Sequence, residues 1–94
     1  MRNKFAFDAI KDVIDAGFEL LGRSQYIISD EQFTLWCDYS MKMLALVSKY
    51  GHPAIEVNYL RVLLSVRSNH NLTASQKLSS CIDYLIEALK ILAN

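Results

Sequence analysis

Apolar residues recur at every third or fourth position in four separate segments of this 94-residue chain. That spacing matches the roughly 3.6 residues of an α-helical turn, so each segment predicts a helix whose apolar side has to be covered. The sequence holds no hairpin dipeptide and no sustained apolar–polar alternation, which are the patterns that predict β-strands. We therefore predict an all-α fold with helices at about residues 3–21, 30–50, 53–68 and 74–93.

Polar residues at the starts of two segments support these boundaries. Ser29 and Thr73 each stand before a helix, and Gln32 and Gln76 follow three residues later. This spacing predicts a capping box, in which the side chains of the two residues satisfy each other's free backbone N–H groups. The second and fourth helices are therefore predicted to begin directly after Ser29 and Thr73.

The few glycine and proline residues fall near the predicted boundaries, with one exception. Pro53 suits the first turn of the third helix, where its missing N–H would be unpaired anyway. Gly22 suits the C-terminal cap of the first helix, and Gly51 stops the second. Gly17 lies in mid-helix, where it costs about 1 kcal/mol relative to alanine. It is either tolerated there or marks a close approach between helices.

Short links between helices of this length favour antiparallel neighbours, so we predict a compact antiparallel four-helix bundle. Residues 1–94 are expected to form this single domain. Hydrophobic residues make up 52% of the chain, which is rich for a body with so few interior positions. Because monomers rarely expose large apolar patches, we expect a surface for self-association or for a protein partner.

The third helix is the best candidate for that surface. Apolar residues surround it on nearly every side, and only a narrow strip is small or polar. A helix of this kind is buried on more than one side, whereas each helix of a small monomeric bundle keeps an exposed face. Together with aromatic residues elsewhere, it supplies the predicted interface or ligand-binding residues, which are Tyr59, Arg61, Arg67, His70, Tyr26 and Trp36.

Two of these residues have alternative interpretations. Tyr26 lies in an unusually apolar loop, which either folds back over the end of the core or is an exposed contact. Arg61 cannot be buried without a partner. It either reaches water or pairs with an acid of the first helix, or it belongs to an interface or an anionic pocket.

Charge is balanced overall but uneven along the chain. Residues 1–40 carry about −3 and residues 41–94 about +3, from seven acids against four bases and three acids against six bases. A net charge of zero gives no reason to expect DNA as a partner. The asymmetry is either chance or complementary charge between helices or subunits.

An alternative function is binding of a small anionic ligand, such as a nucleotide, between subunits. Arg61 and Arg67 would hold the anionic group, and aromatic residues would stack on the ligand.

Catalytic motifs are weak in this sequence. An arginine followed by a histidine on a helical bundle resembles the R-x4-6-H motif of HEPN-type ribonucleases. Here, however, two residues separate Arg67 from His70 and eight separate Arg61 from His70. A HEPN-like, RNA-directed protein is thus only a weaker alternative.

Cys37 and Cys81 lie at apolar helical positions and are predicted to be buried free thiols. We predict no enzyme activity, no catalytic residue, no metal and no cofactor.

The longest apolar run spans five residues, Met43 to Val47, which is far too short to cross a bilayer. We therefore expect a cytoplasmic protein with no membrane partner. The leading hypothesis is a non-catalytic interaction protein that binds a protein partner and self-associates. Small helical proteins of this size often act as inhibitors, immunity factors or adaptors in bacteria and phages, an analogy of size and class alone.

Overall fold

The computed structural model describes residues 2–93, with side chains from residue 4 onward, and contains four α-helices within that range. They are α1 (Arg2–Arg23), α2 (Asp30–Lys49), α3 (Pro53–Arg67) and α4 (Ala74–Ala93). The all-α prediction is confirmed, and every helix end lies within two residues of its predicted position. Residues 1 and 94, which the single-domain prediction also included, lie outside the described residues.

The helices form a four-helix bundle with a defined neighbour order. α1 packs against α2 and α4, α3 packs against the same two helices, and α2 meets α4 across the centre. Within the described residues, α1 and α3 have no pair of Cα atoms within 8 Å of each other. The radius of gyration is 12.8 Å. A compact chain of this length has about 12 Å, so the fold is well packed although it exposes several apolar side chains.

Both predicted capping boxes are present. The Gln32 N–H donates to Ser29 Oγ at 3.1 Å, and the Ser29 N–H donates to Gln32 Oε1 at 2.8 Å. Thr73 and Gln76 make the same pair of hydrogen bonds at 3.2 and 2.9 Å. These bonds satisfy N–H groups that a helix start would otherwise leave without a partner, which fixes where α2 and α4 begin.

The predicted end of α1 is wrong in one detail. Gly22 lies inside the last turn of α1 and does not cap it. The chain turns later, where the Tyr26 N–H donates to the carbonyl oxygen of Leu21 at 2.7 Å. Gln25 (φ 52°) and Tyr26 (φ 65°) therefore adopt the left-handed conformation that the cap prediction assigned to glycine. Gly51, with φ 114°, does follow the end of α2 as predicted.

Gly17 marks a close approach between helices. A Cβ atom at this position would lie 2.7 Å from Ile82 Cδ1 on α4 and 3.2 Å from Trp36 Nε1 on α2. Both neighbouring side chains are buried, and the Trp36 indole N–H also donates to the Val13 carbonyl oxygen at 3.1 Å. Of the two interpretations of Gly17, close packing is therefore the one that the structure supports.

We predict that Gly17→Ala destabilises the fold. Alanine improves helix propensity by about 1 kcal/mol, but forcing a methyl group into a packed core costs about 1–3 kcal/mol. The expected net loss of about 1 kcal/mol lowers the melting temperature by about 4–8 °C in a chain of this size.

A double-mutant cycle with Ile82→Val provides the control, because valine lacks the Cδ1 atom that a new Cβ would meet first. Gly17→Ala should be neutral or stabilising in the Ile82→Val background. Urea denaturation measures the free energy of unfolding of each variant. Strictly additive changes would show that contact with Ile82 is not the reason why alanine destabilises the fold at position 17.

Candidate protein-interaction surface

The two thiols of the chain lie in the core and are poor nucleophiles there. Cys37 and Cys81 are both buried and free, as predicted. Burial raises the pKa of the Cys37 thiol from 9.0 to about 11 and that of Cys81 to about 12, because an interior site disfavours the thiolate. The Cys37 thiol adds to the rise in the Cys81 pKa. Thiol chemistry therefore requires the bundle to open.

We predict that the free energy of unfolding falls as the pH rises above 9. Above pH 9 the thiols of the unfolded chain lose their protons, whereas those of the folded chain keep them. The unfolded state then binds fewer protons than the folded state, so a rise in pH stabilises the unfolded state relative to the folded one. The buried Tyr59 hydroxyl, whose pKa burial also raises, acts in the same direction. Urea denaturation across this pH range measures the effect. In the Cys37→Ala/Cys81→Ala variant the free energy of unfolding should fall less steeply with pH. An equally steep fall in that variant would show that the thiols do not cause the pH dependence.

The exposed apolar side chains point to binding. Twelve large hydrophobic residues are exposed among the described side chains, and α2 and α3 carry six of them, namely Leu35, Tyr39, Leu46, Val57, Leu60 and Leu64. Single exposed apolar residues are normal on any protein, whereas neighbouring ones mark contact surfaces. A contact surface therefore forms only where several of these exposed residues lie side by side.

Three exposed residues of α3 form one stripe. Val57, Leu60 and Leu64 are spaced by three and four residues, so they share a side of the helix, and Leu64 is 70% exposed. Beside the stripe runs a groove of about 220 Å³ between α3 and α2, and its lining residues are Met41, Leu60, Leu63, Leu64 and Arg67. We call Val57 together with these five groove residues the α3 surface.

Two residues that the sequence suggested as contacts lie in the core instead. Tyr59 is fully buried, its hydroxyl donates to Ser40 Oγ at 2.7 Å, and its ring stacks on Tyr84. Trp36 is 5% exposed, and its indole N–H is bonded to the backbone of α1. Each aromatic group thus finds a polar partner inside the bundle, so neither belongs to the surface, and Tyr59 offers no face for stacking on a ligand.

The basic residues predicted beside them are exposed. Arg61 has no ion pair or hydrogen bond with another described residue, and α1 does not reach it, so it is solvated rather than paired with an acid of the first helix. Arg67 lines the groove of the α3 surface. Lys77 Nζ donates to the Arg67 carbonyl oxygen at 3.5 Å, and His70 is exposed in the turn before α4. Of the predicted set, the structure therefore places Arg67 in the α3 surface and Arg61 elsewhere on the exposed side of α3.

The loop around Tyr26 is exposed rather than folded over the core. Tyr26 is 73% exposed and Ile27 80% exposed, and only Ile28 turns inward, where its N–H donates to Ser75 Oγ at 3.0 Å. Tyr26 borders a separate groove of about 390 Å³ between α1 and α4. Its surroundings are therefore distinct from the α3 surface, which lies between α2 and α3.

Sequence reasoning missed the exposed apolar residues of α2. Leu35 and Tyr39 line a groove of about 370 Å³ between α1 and α2, together with Ala16 and Leu20. Leu46 follows further along the same helix and is 40% exposed. The helical spacing of positions 35, 39 and 46 indicates that they share one side of α2. The same spacing fits a side buried against another helix, so the sequence alone does not show that these residues are exposed.

No family model, curated protein or solved structure matches this chain. No helix within residues 2–93 combines the length and the hydropathy needed to cross a bilayer. Within the same residues, no three His, Cys, Asp or Glu side chains come together as a group that could hold a metal ion. The exposed surfaces are therefore the features of this chain that bear on its function.

Proposed function

We propose that this chain is a non-catalytic interaction protein that binds another protein through its α3 surface. The observation that carries the proposal is the exposed stripe of Val57, Leu60 and Leu64 beside a groove of about 220 Å³. Contiguous apolar area of this kind, when left in water, favours association. The two buried thiols give no support to a nucleophilic role.

The surroundings of the stripe suggest the chemistry of the partner. Arg67 lines the groove, and Arg61 lies elsewhere on the exposed side of α3, with no ion pair in the part of the chain that the structure describes. An arginine beside exposed leucines is a common anchor in protein interfaces, and its planar fork suits a carboxylate. A fitting partner therefore presents apolar side chains to the groove with acidic residues around them, as an amphipathic helix does.

The biological setting is proposed from general features. Free buried cysteines fit a reducing compartment, which supports the cytoplasmic location expected from the sequence. An inhibitor, immunity factor or adaptor of a bacterium or phage would act by binding in this way. Self-association, which the apolar surplus also favours, is compatible with all three roles.

We predict that Leu64→Glu weakens partner binding and leaves the fold intact. Leu64 is 70% exposed, so a charge there costs little stability, whereas a charge within a desolvated contact lowers affinity by more than about tenfold. Ile91→Glu is the matched control, because Ile91 is 69% exposed on α4. Thermal melts of both variants should coincide with that of the parent chain.

Photo-crosslinking in extracts of the source cells supplies the partner for this measurement. A crosslinking residue at position 64 should capture a protein that the same residue at position 91 does not. Isothermal titration calorimetry with the purified partner then compares its affinity for Leu64→Glu and for Ile91→Glu. Equal capture at both positions, or equal affinity of Leu64→Glu and Ile91→Glu, would count against the α3 surface as the binding site.

A further inference from the structure

Six exposed residues follow one side of α2. Their spacing of four, three, four, four and three residues places them on one side of the helix, directed away from the core. We call this set the outer face of α2, and its members are Glu31, Leu35, Asp38, Lys42, Leu46 and Lys49. From the first to the last it extends about 27 Å at the usual rise of an α-helix.

The charges on this face are separated along the helix. Both acids, Glu31 and Asp38, lie in the first half of α2, and both bases, Lys42 and Lys49, lie in the second half. The two leucines fall one in each half. A parallel pair of such helices would bring like charges together, whereas an antiparallel pair would bring opposite charges together.

None of these four charges forms an ion pair with another described residue. The ion pairs of the described residues join Lys4 to Asp8, Lys11 to Asp15 and Arg23 to Glu19 on α1, and Lys90 to Glu87 on α4. On α2, Asp38 and Lys42 stand four residues apart, a spacing that commonly gives a pair, yet they form none. The outer face therefore offers free charges of both signs.

One antiparallel register between two copies of α2 pairs every charge of the outer face with an opposite charge of the other copy. In an antiparallel arrangement centred on residue 40, Glu31 faces Lys49 of the second copy, and Asp38 faces its Lys42. The same centre brings Leu35 to within one residue of the other copy's Leu46. A twofold axis repeats each contact, so four ion pairs would flank two leucine contacts, which is the self-complementary pattern of an isologous interface.

We propose that the outer face of α2 is the contact between two copies of this chain in a twofold symmetric dimer. The occupant is a second copy because the face complements itself in charge and apolar position. The outer face shares no residue with the α3 surface. This inference goes beyond the proposed function, because the dimer does not depend on what binds at α3.

Charge reversal tests the proposal. Sedimentation velocity of the full chain should show a dimer, and E31K/D38K or K42E/K49E should each weaken dimerisation by more than about tenfold, because every ion pair becomes a like-charge contact. An equimolar mixture of these two variants should form a heterodimer. The chain with all four reversals should recover the homodimer, since its charges again complement each other.

Controls separate this interface from general charge and from α3. D12K/D83K changes the net charge by the same amount as E31K/D38K and should leave the dimer intact. Asp12 on α1 and Asp83 on α4 are exposed, and neither has an ion pair among residues 4–93. Leu64→Glu should also remain a dimer, so failure of the α3 surface and failure of the dimer can be told apart. A monomeric parent chain, a dimer unaffected by either double reversal, or a mixture that stays monomeric would overturn the proposal.

The four-reversal variant also controls for folding. It contains the same substitution near the helix start as E31K/D38K, where a lysine opposes the helix dipole. Recovery of its dimer would therefore show that the double variant failed through its interface. Far-UV circular dichroism should report equal helix content in all variants, and the dimer of the parent chain should weaken between about 0.05 M and 0.5 M NaCl.

Discussion

The contact at Gly17 sets how the helices are turned toward one another. Since this residue has no side chain, Ile82 of α4 and Trp36 of α2 can lie against the backbone of α1. The Trp36 indole then bonds to the Val13 carbonyl oxygen, which fixes the rotation of α2 about its axis. With Trp36 held inward, the opposite side of α2 must face solvent, and this is the side that carries Leu35, Asp38 and Lys42. The outer face of α2 is thus a consequence of how the core is closed.

A second buried contact orients α3 in the same way. The Tyr59 hydroxyl donates to Ser40, and the Ser40 hydroxyl donates to the carbonyl oxygen of Cys37, both at 2.7 Å. A buried tyrosine without these partners would be costly, so this hydrogen-bonded chain favours a single rotation of α3 against α2. That rotation turns Val57, Leu60 and Leu64 outward. The polar groups of the core therefore decide which apolar groups remain in water.

The positions of the helices could be predicted from the sequence because their ends are local. Ser29 with Gln32, and Thr73 with Gln76, satisfy each other within one turn, and no distant part of the chain is required. The rotation of α3 could not be predicted, since its apolar residues leave no clear inner side. That ambiguity is why Tyr59 was expected at the surface. Trp36 was misplaced for a related reason, because an indole suits an interface and a core equally well until its hydrogen-bond partner is known.

The uneven capping of the helices bears on local order. α2 and α4 begin with capping boxes, whereas His52 makes no side-chain hydrogen bond at the start of α3. α3 is also the shortest helix, with 15 residues, and it packs on two neighbours while its stripe stays in water. Opening α3 locally therefore exposes less new apolar area than opening α2 would, so its amides should exchange with solvent sooner. A ligand seated there would slow that exchange and so couple its own affinity to the order of this helix.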